Sequence, residues 1–445
     1  MEQKTIAIIG AGLVGSLLGI YLSRQGYKVS VFEGRADMRK EKIQAGRSIN
    51  LALSDRGINA LKEVGIHEKI LSKAIPMNGR LIHDLDGQTN FQPYGKEGQA
   101  IYSVSRADLN IDLVDIAESS GISFHFQKKC TGINWQTNEI IFNEEPLKVF
   151  HADIIFGADG AYSATRLQHM LNHQQFNYHQ HYIDCGYKEL SIPAGVDGHF
   201  LLEKNVLHIW PRGDYMLIAL PNNDGSFTGT LFFPFEGKKS FEQLKTPGNV
   251  LDFFNKEFPG IPQLVPDLTN QFFNNPTSSL VTVQCYPWVR DGKFSLIGDA
   301  AHAMVPFFGQ GMNCGFEDCF ILNQLMNKYP HQWEIILEQF QQLRKPDADA
   351  IAEMAINNFL EMRSKTADPI FLLQKKIEAV LNDKFPDKWI PSYSLVTFNP
   401  HLRYSEAYAR GNKQEAIMQD IMKRDNIAEI WNDHKLHVEI IKQVE

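Results

Sequence analysis

The chain has 445 residues, 43% of them hydrophobic and 22% charged, and carries a formal net charge of −8. That length bounds it at two or three domains, with a core large enough to need no disulfide staple. The acidic balance argues against a nucleic-acid partner, whose phosphates demand clustered Lys and Arg, and against docking on an anionic membrane.

The five cysteines, Cys130, Cys185, Cys285, Cys314 and Cys319, are odd in number and nowhere spaced as CxxC. Buried reduced thiols of a cytosolic protein are expected, and no metal site. The opening MEQKTIAIIGAG lacks the pattern of a signal peptide, and no window of about 18 apolar residues offers a membrane anchor. A soluble, cytoplasmic chain is therefore expected.

In chain order, residues 4–9 (KTIAII) read as a buried strand, 13–25 as a helix stopped by Gly26, and 28–33 (KVSVFE) as a second strand. Together they predict a right-handed βαβ unit with a parallel sheet. Between the first strand and the helix lies Gly10-Ala11-Gly12-Leu13-Val14-Gly15, a GxGxxG in the context that motif requires. Gly10 permits the tight turn, Gly12 lets a pyrophosphate approach the helix start, and Gly15 allows close helix–sheet packing. Glu33, at the end of the second strand, is placed to accept hydrogen bonds from ribose hydroxyls. A carboxylate there would repel a 2′-phosphate, so FAD or NAD suits this site better than NADP. Arg35 joins the candidate cofactor-binding set.

Residues 54–67 read as an amphipathic helix, 81–86 as a short extended piece with a DLDG turn, and 107–120 as a helix ending at Gly121. In ADIIFGADGAYSATR (152–166) an apolar strand delivers Gly157, Asp159 and Gly160 to a turn, and Ser163–Arg166 begin a helix. Residues 182–235 change character, with short apolar stretches separated by PRGD and NNDG, the turn chemistry of antiparallel strands.

In FSLIGDAAHAMVPFFGQGMNCGFED (294–318), Gly298-Asp299 place a carboxylate at the end of a strand, where it would accept hydrogen bonds from a ribityl chain. Gly309-Gln310-Gly311-Met312-Asn313 then begin a helix whose N–H groups can face the N1 and C2 carbonyl of a flavin. His302 invites a general-base reading but has no partner at a useful spacing, and a structural role is expected. After residue 314 the chain reads as helical, with breaks at Pro330, Pro346, Pro369 and Pro386, and the charged tail 413–445 is expected to pack as a helix.

The fold class expected is α/β: an FAD-binding Rossmann-like domain (1–75 with 100–180 and 285–325), a mixed antiparallel-sheet substrate domain (76–99 with 181–284) and a helical C-terminal region (326–445). No second GxGxxG is present, so a nicotinamide reductant should bind transiently in a shared cleft.

The 152–166 segment resembles the DG fingerprint of flavoprotein aromatic hydroxylases, in which the Asp holds backbone and cofactor groups. GRSINLALSDRG (46–57), PMNGRLIHDLDG (76–87), PYG (93–95), YSVSRADLN (102–110), GQGMNCGFEDC (309–319), NNFLEMR (357–363) and IPSYSLVTF (390–398) together resemble the kynurenine 3-monooxygenase family, from about residue 5 to about residue 405. The resemblance implies a monooxygenase with tightly bound, non-covalent FAD that hydroxylates L-kynurenine to 3-hydroxy-L-kynurenine with NADPH and O2, in tryptophan degradation or NAD synthesis. By position it implies that Arg80, Tyr94, Asn358 and Tyr393 hold the amino-acid end of kynurenine. It also implies that Arg106 contacts FAD, and that Val14, Met312 and Asn313 do so through their backbones, their side chains mattering less. No catalytic acid or base of the protein is implied with certainty, because the flavin carries the oxygen chemistry. Phe307 and Phe308 are candidates for apolar wall beside the ring. Two rivals share parts of the pattern: a related hydroxylase with another aromatic substrate, and a non-catalytic binding module on the same fold.

Overall fold

The computed structural model describes residues 3–40, 50–96, 98–143, 148–364 and 369–444. Residues 46–49 of the family-like block 46–57 lie outside that range, as do the side chains of Met362 and Arg363 in NNFLEMR.

The β-branched run at the start forms strand Thr5–Ile9, buried on both faces as parallel strands are. It lies in the middle of a six-stranded sheet. On one side are Lys28–Phe32 and Ser123–His125, and on the other Ile154–Gly157 and Phe294–Leu296, all parallel. The short edge strand Val289–Arg290 runs antiparallel. Three adjacent strands, Thr5–Ile9, Ile154–Gly157 and Phe294–Leu296, therefore carry the three motifs out of one carboxyl edge, the ligand edge of such sheets. The helix Leu13–Arg24 follows the first strand, as the glycine spacing predicts.

A seven-stranded sheet comes from the central part of the chain. Its order is Thr277–Tyr286, Asn177–Ile192, Phe227–Pro234, Met216–Pro221, Leu207–Pro211, Gly79–His83 and Thr89–Pro93. Pairing is antiparallel throughout except between Leu207–Pro211 and Gly79–His83. One face packs on the helices Pro247–Glu257 and Leu268–Asn274, through Leu190, Leu217, Leu231, Phe254 and Phe272. The other turns Met216 and Phe232 toward Phe307 and Phe308, and Leu220 toward Tyr94. That face is the floor of the candidate substrate cavity.

The C-terminal part is helical, with one departure from expectation. Pro346 does not break its helix; Trp333–Ser364 runs through it. Proline removes one backbone hydrogen bond and crowds the preceding turn, at about 3 kcal/mol. Here it sits on the exposed side, where water can take the freed carbonyl, while Phe340, Ile351 and Ala355 bury the opposite side on both flanks. The tail packs as expected: Tyr404–Met422 and His434–Val444 close over Ile377, Leu381 and Trp389 with Met418, Ile421 and Ile440. All five cysteines are free and buried. Among the described residues no helix is long and apolar enough to cross a membrane.

Candidate active site

The first turn of the helix Leu13–Arg24 has no side-chain cap, so its N–H groups point out of the glycine loop without a side-chain partner. A Cβ on Gly12 would meet nothing within 4 Å, whereas one on Gly15 would lie 2.0 Å from the Gly10 carbonyl oxygen. The loop is thus open exactly on the side from which a phosphate can reach the helix start.

Glu33 closes the loop. One carboxylate oxygen accepts from the Ala11 N–H at 3.0 Å, and the other accepts from the Arg35 N–H and Nε, each at 2.9 Å. Burial raises this carboxyl, but the hydrogen bonds from Arg35 and Ala11 outweigh it and hold Glu33 below its ordinary range. Arg35 Nη2 also donates, at 3.2 Å, to the oxygen that accepts from Ala11, so the carboxylate's roughly four lone-pair positions are all taken, and ribose hydroxyls would bind here by displacing the exposed Arg35 side chain.

Asp159 is engaged locally: it accepts from Ser163 Oγ at 2.5 Å, from Thr165 Oγ1 at 2.7 Å and from the Thr165 N–H at 3.0 Å. This fixes the turn and the start of the helix Ala164–Leu171. Arg166 then reaches the Ala300 carbonyl at 2.8 Å, tying the second motif to the third.

Asp299, which opens the one-turn helix Asp299–His302, is exposed and makes no hydrogen bond or ion pair with the described residues. An unpartnered carboxylate at the edge of a parallel sheet matches a polyol ligand. The helix Gly311–Lys328 likewise starts without a side-chain cap, and Gly309 ahead of it takes φ +69°. Two uncapped helix starts, an open glycine and a free carboxylate thus lie along one edge, and together they fit FAD.

Two side chains that the family pattern leaves incidental have packing tasks. Val14 Cγ2 lies 3.1 Å and 2.5 Å from where Cβ atoms on Gly298 and Gly315 would stand, so it is wedged between the third motif and its helix. Asn313 is fully buried; its Nδ2 donates to the Ala52 carbonyl at 2.8 Å and the Gly309 carbonyl at 2.9 Å, and its Oδ1 accepts from the Ser54 N–H at 2.9 Å. An asparagine beside a glycine-rich helix start is a sequence signal for such a clamp.

His302 is buried and, contrary to the reading that it has no partner, is paired with a carboxylate sixteen residues further on. Its Nε2 lies 2.6 Å from Asp318, which also accepts from Arg344 Nε at 2.7 Å and the Gly298 N–H at 3.1 Å. His302, Asp318 and Cys314 cluster tightly enough to suggest a metal. The Arg344 guanidinium, hydrogen-bonded to both Cys314 and Asp318, already supplies the positive charge there.

The four residues expected at the substrate's amino-acid end come from distant segments. Arg80 is on strand Gly79–His83, Tyr94 follows the edge strand, and Tyr393 is on the helix Ser392–Thr397. The Arg80 guanidinium lies 5.4 Å from the Tyr94 ring centre and 4.8 Å from that of Tyr393, and the two rings stack at 5.2 Å. No carboxylate of the described residues pairs with Arg80. The Tyr94 hydroxyl is buried with no hydrogen bond of good geometry, although the Arg80 guanidinium and the Tyr393 hydroxyl lie close enough to interact with it. Burial pushes both phenols up, so they remain neutral donors.

Asn358 is placed differently. Its Nδ2 donates to the Phe307 carbonyl at 2.6 Å, so it also supports the Pro306–Phe308 turn. Phe308 approaches Tyr393 at 5.4 Å, and Phe307 stacks on Phe359 at 4.4 Å and meets Phe232 at 5.0 Å. An apolar wall thus runs from the Arg80 cluster to the glycine turn before the Gly311 helix.

Arg106 is exposed at the start of the helix Arg106–Ser119. Glu189, opposite Thr230 in the large sheet, is a neighbour the sequence does not flag. Burial pushes its carboxyl up from 4.5 to about 7, with Arg106 pulling the other way. Between those two values the folded chain holds more protons than the unfolded one, so this group's contribution to stability is lost as pH rises through about 7. Glu189→Gln should therefore show a melting-temperature advantage over the parent that grows between pH 5 and pH 8. After allowing for solvent screening the gain is about 1 kcal/mol, or ~1–3 °C. Scanning calorimetry across that range checks it, and a difference that does not vary with pH counts against this account of Glu189.

The FAD binding domain family matches residues 3–227 and 270–355. Among solved structures, 2-methyl-3-hydroxypyridine-5-carboxylic acid oxygenase aligns with a TM-score of 0.68 at 18% identity, over 83% of this chain and 95% of that one. Klebsiella pneumoniae HpxO complexed with FAD aligns at 0.67 and 17%, over 82% and 91%. With the cradle described above, these define the class: a flavoprotein monooxygenase with FAD as cofactor. The kynurenine 3-monooxygenase of Flavobacterium johnsoniae is 51% identical over 98% of both chains, and that of Sus scrofa is 43% identical over 94% of this chain and 88% of its own. The chain belongs to the kynurenine 3-monooxygenase family.

Proposed function

We propose that the chain hydroxylates L-kynurenine to 3-hydroxy-L-kynurenine, consuming NADPH and O2. The observation that carries this reading is the Arg80 cluster: a cation without a carboxylate partner among the described residues, set against two stacked tyrosines whose hydroxyls are buried beside it. A small zwitterion supplies what is missing. Its carboxylate takes charge-assisted hydrogen bonds from the guanidinium and a neutral one from Tyr94. Asn358 is assigned to the same end of the cavity through the turn it supports.

The balance is L-kynurenine + NADPH + H+ + O2 → 3-hydroxy-L-kynurenine + NADP+ + H2O. FAD, when bound, supplies the acceptance of hydride and the activation of oxygen that no side chain can. We assign its contacts to Gly10, Gly12, Val14, Gly15, Glu33, Arg35, Arg106, Asp159, Asp299, Gly311, Met312 and Asn313. The protein's share is positioning and dryness. Arg80 anchors the amino-acid end, and Phe232, Phe307 and Phe308 guide the aromatic ring along an apolar wall that keeps water out. The substrate's own amino group enriches the ring carbon beside it, so no strong protein acid or base is required. NADPH engages transiently in the cleft. The parallel-sheet segments hold FAD, the seven-stranded sheet forms the substrate floor, and the helices after residue 326 close the cavity.

The test is NADPH oxidation with and without L-kynurenine, with the product identified by mass. Stimulation with a gain of one oxygen atom is expected. Stimulation only by a different aromatic acid would reassign the substrate.

A further inference from the structure

Arg56, on the helix Asp55–Glu63, is 1% exposed; it lies in the family-like block 46–57, where the resemblance implies no role for it. Each of its three guanidinium nitrogens is engaged. Nε donates to the Val396 carbonyl at 2.6 Å, one terminal nitrogen pairs with Glu317 at 2.6 Å, and the other donates to the Leu402 carbonyl. Its flat face lies 4.0 Å from the centre of the Tyr404 ring, and the Tyr404 hydroxyl donates to Gln310 Oε1 at 2.8 Å.

These contacts join two halves of the site. Val396 lies in the helix that carries Tyr393, and Leu402 lies beyond its end. Glu317 is on the helix whose start carries Met312 and Asn313, and Gln310 is that helix's N-cap. The strand end just before Arg56 is pinned to the same helix through Asn313, which takes the Ser54 N–H and holds the Ala52 carbonyl.

We propose that Arg56 is a positioning residue that sets the separation between the substrate-holding helix Ser392–Thr397 and the flavin-facing start of the helix Gly311–Lys328. The inference rests on the hydroxylase reading above. Its consequence concerns coupling. When the ring is held in register, NADPH and O2 yield hydroxylated product and water. When it is not, the same reductant is spent as NADPH + H+ + O2 → NADP+ + H2O2.

Only a planar fork reaches two carbonyls and a carboxylate at once, so lysine is not equivalent here. Arg56→Lys keeps a charge for Glu317, which also retains Arg344 at 2.5 Å, so no buried carboxylate is left unpaired. It releases at least one of the two carbonyls. Misplacement by about 1 Å can cost on the order of 100-fold in rate. A partial shift should raise the kynurenine KM about 5–10-fold and at least halve the product formed per NADPH, with peroxide making up the difference.

The experiment measures, for parent and Arg56→Lys holoenzyme, flavin content, kynurenine KM, and product and peroxide per NADPH. Full flavin content with a raised KM and lost coupling supports the proposal. Flavin loss with parental KM and coupling in the molecules that retain FAD would overturn it and leave Arg56 a purely structural residue. Should Arg56→Lys yield no holoenzyme, Tyr404→Phe decides, since it cuts only the link to Gln310: reduced coupling supports the proposal and parental coupling overturns it. A parent enzyme that kynurenine does not stimulate would instead refute the hydroxylase reading.

Discussion

Arg80→Ala should raise the KM for L-kynurenine about 30–1000-fold and leave FAD content unchanged. Removing one member of a hydrogen-bonded charge pair costs about 2–5 kcal/mol, and each 1.4 kcal/mol is tenfold in affinity. The residue as a whole is half-buried, but its guanidinium is enclosed against the Tyr94 and Tyr393 rings, so a loss of about 2–4 kcal/mol is expected. The folded chain loses little. Arg80 holds no carboxylate among the described residues, and its two aromatic contacts, 5.4 and 4.8 Å from the ring centres, are worth about 0.5–1 kcal/mol each. Arg80→Lys should fall between, at about tenfold, because an ammonium keeps the charge but not the fork. Steady-state kinetics beside flavin absorbance separate the two effects, and an unchanged KM in Arg80→Ala removes this residue from the substrate's carboxylate.

What the sequence makes legible and what it does not follow from the range of the interactions involved. The glycine loop at residues 10–15, the turn at Asp159 and the turn at Asp299 are local devices: a strand, a tight turn and a helix start within a few residues. Their chemistry is written in adjacent positions. That all three emerge from one edge follows from parallel pairing of Thr5–Ile9 with Ile154–Gly157, and of that strand with Phe294–Leu296. Long-range cohesion is less legible. Asp318 reads as one more charge on a helix until Arg344 and His302 are seen on either side of it. Glu189 reads as a polar strand position until its burial beside Arg106 is seen. Pro346 reads as a break because propensity is local, while the packing of Phe340 and Ile351 that overrides it is not. The Arg80 cluster was legible only through family resemblance, since no spacing rule links residues 80, 94 and 393.

The glycine loop offers the sharpest separation between a residue needed by the fold and one needed by the ligand. A Cβ on Gly15 would stand 2.0 Å from the Gly10 carbonyl oxygen and 3.3 Å from Ile8 Cγ2. Gly10 cannot retreat: it takes φ +110°, and its own Cβ position is 2.3 Å from the Ala158 carbonyl oxygen. Overpacking against side chains costs about 1–3 kcal/mol, and against fixed backbone the cost is at the upper end or beyond. Gly15→Ala should therefore lower the melting temperature of the flavin-free protein and lose FAD together. Gly12→Ala should behave oppositely. Its φ of −74° suits any residue and its Cβ would meet nothing within 4 Å, so the flavin-free protein should melt as the parent does or slightly higher. The added methyl group, however, occupies the side of the loop by which a pyrophosphate reaches the uncapped helix start. FAD affinity should fall at least about tenfold, or 1.4 kcal/mol, in a fluorescence titration. Parental FAD affinity in Gly12→Ala would mean that the dinucleotide does not approach through this loop, and the assignments to Glu33 and Val14 would fall with it.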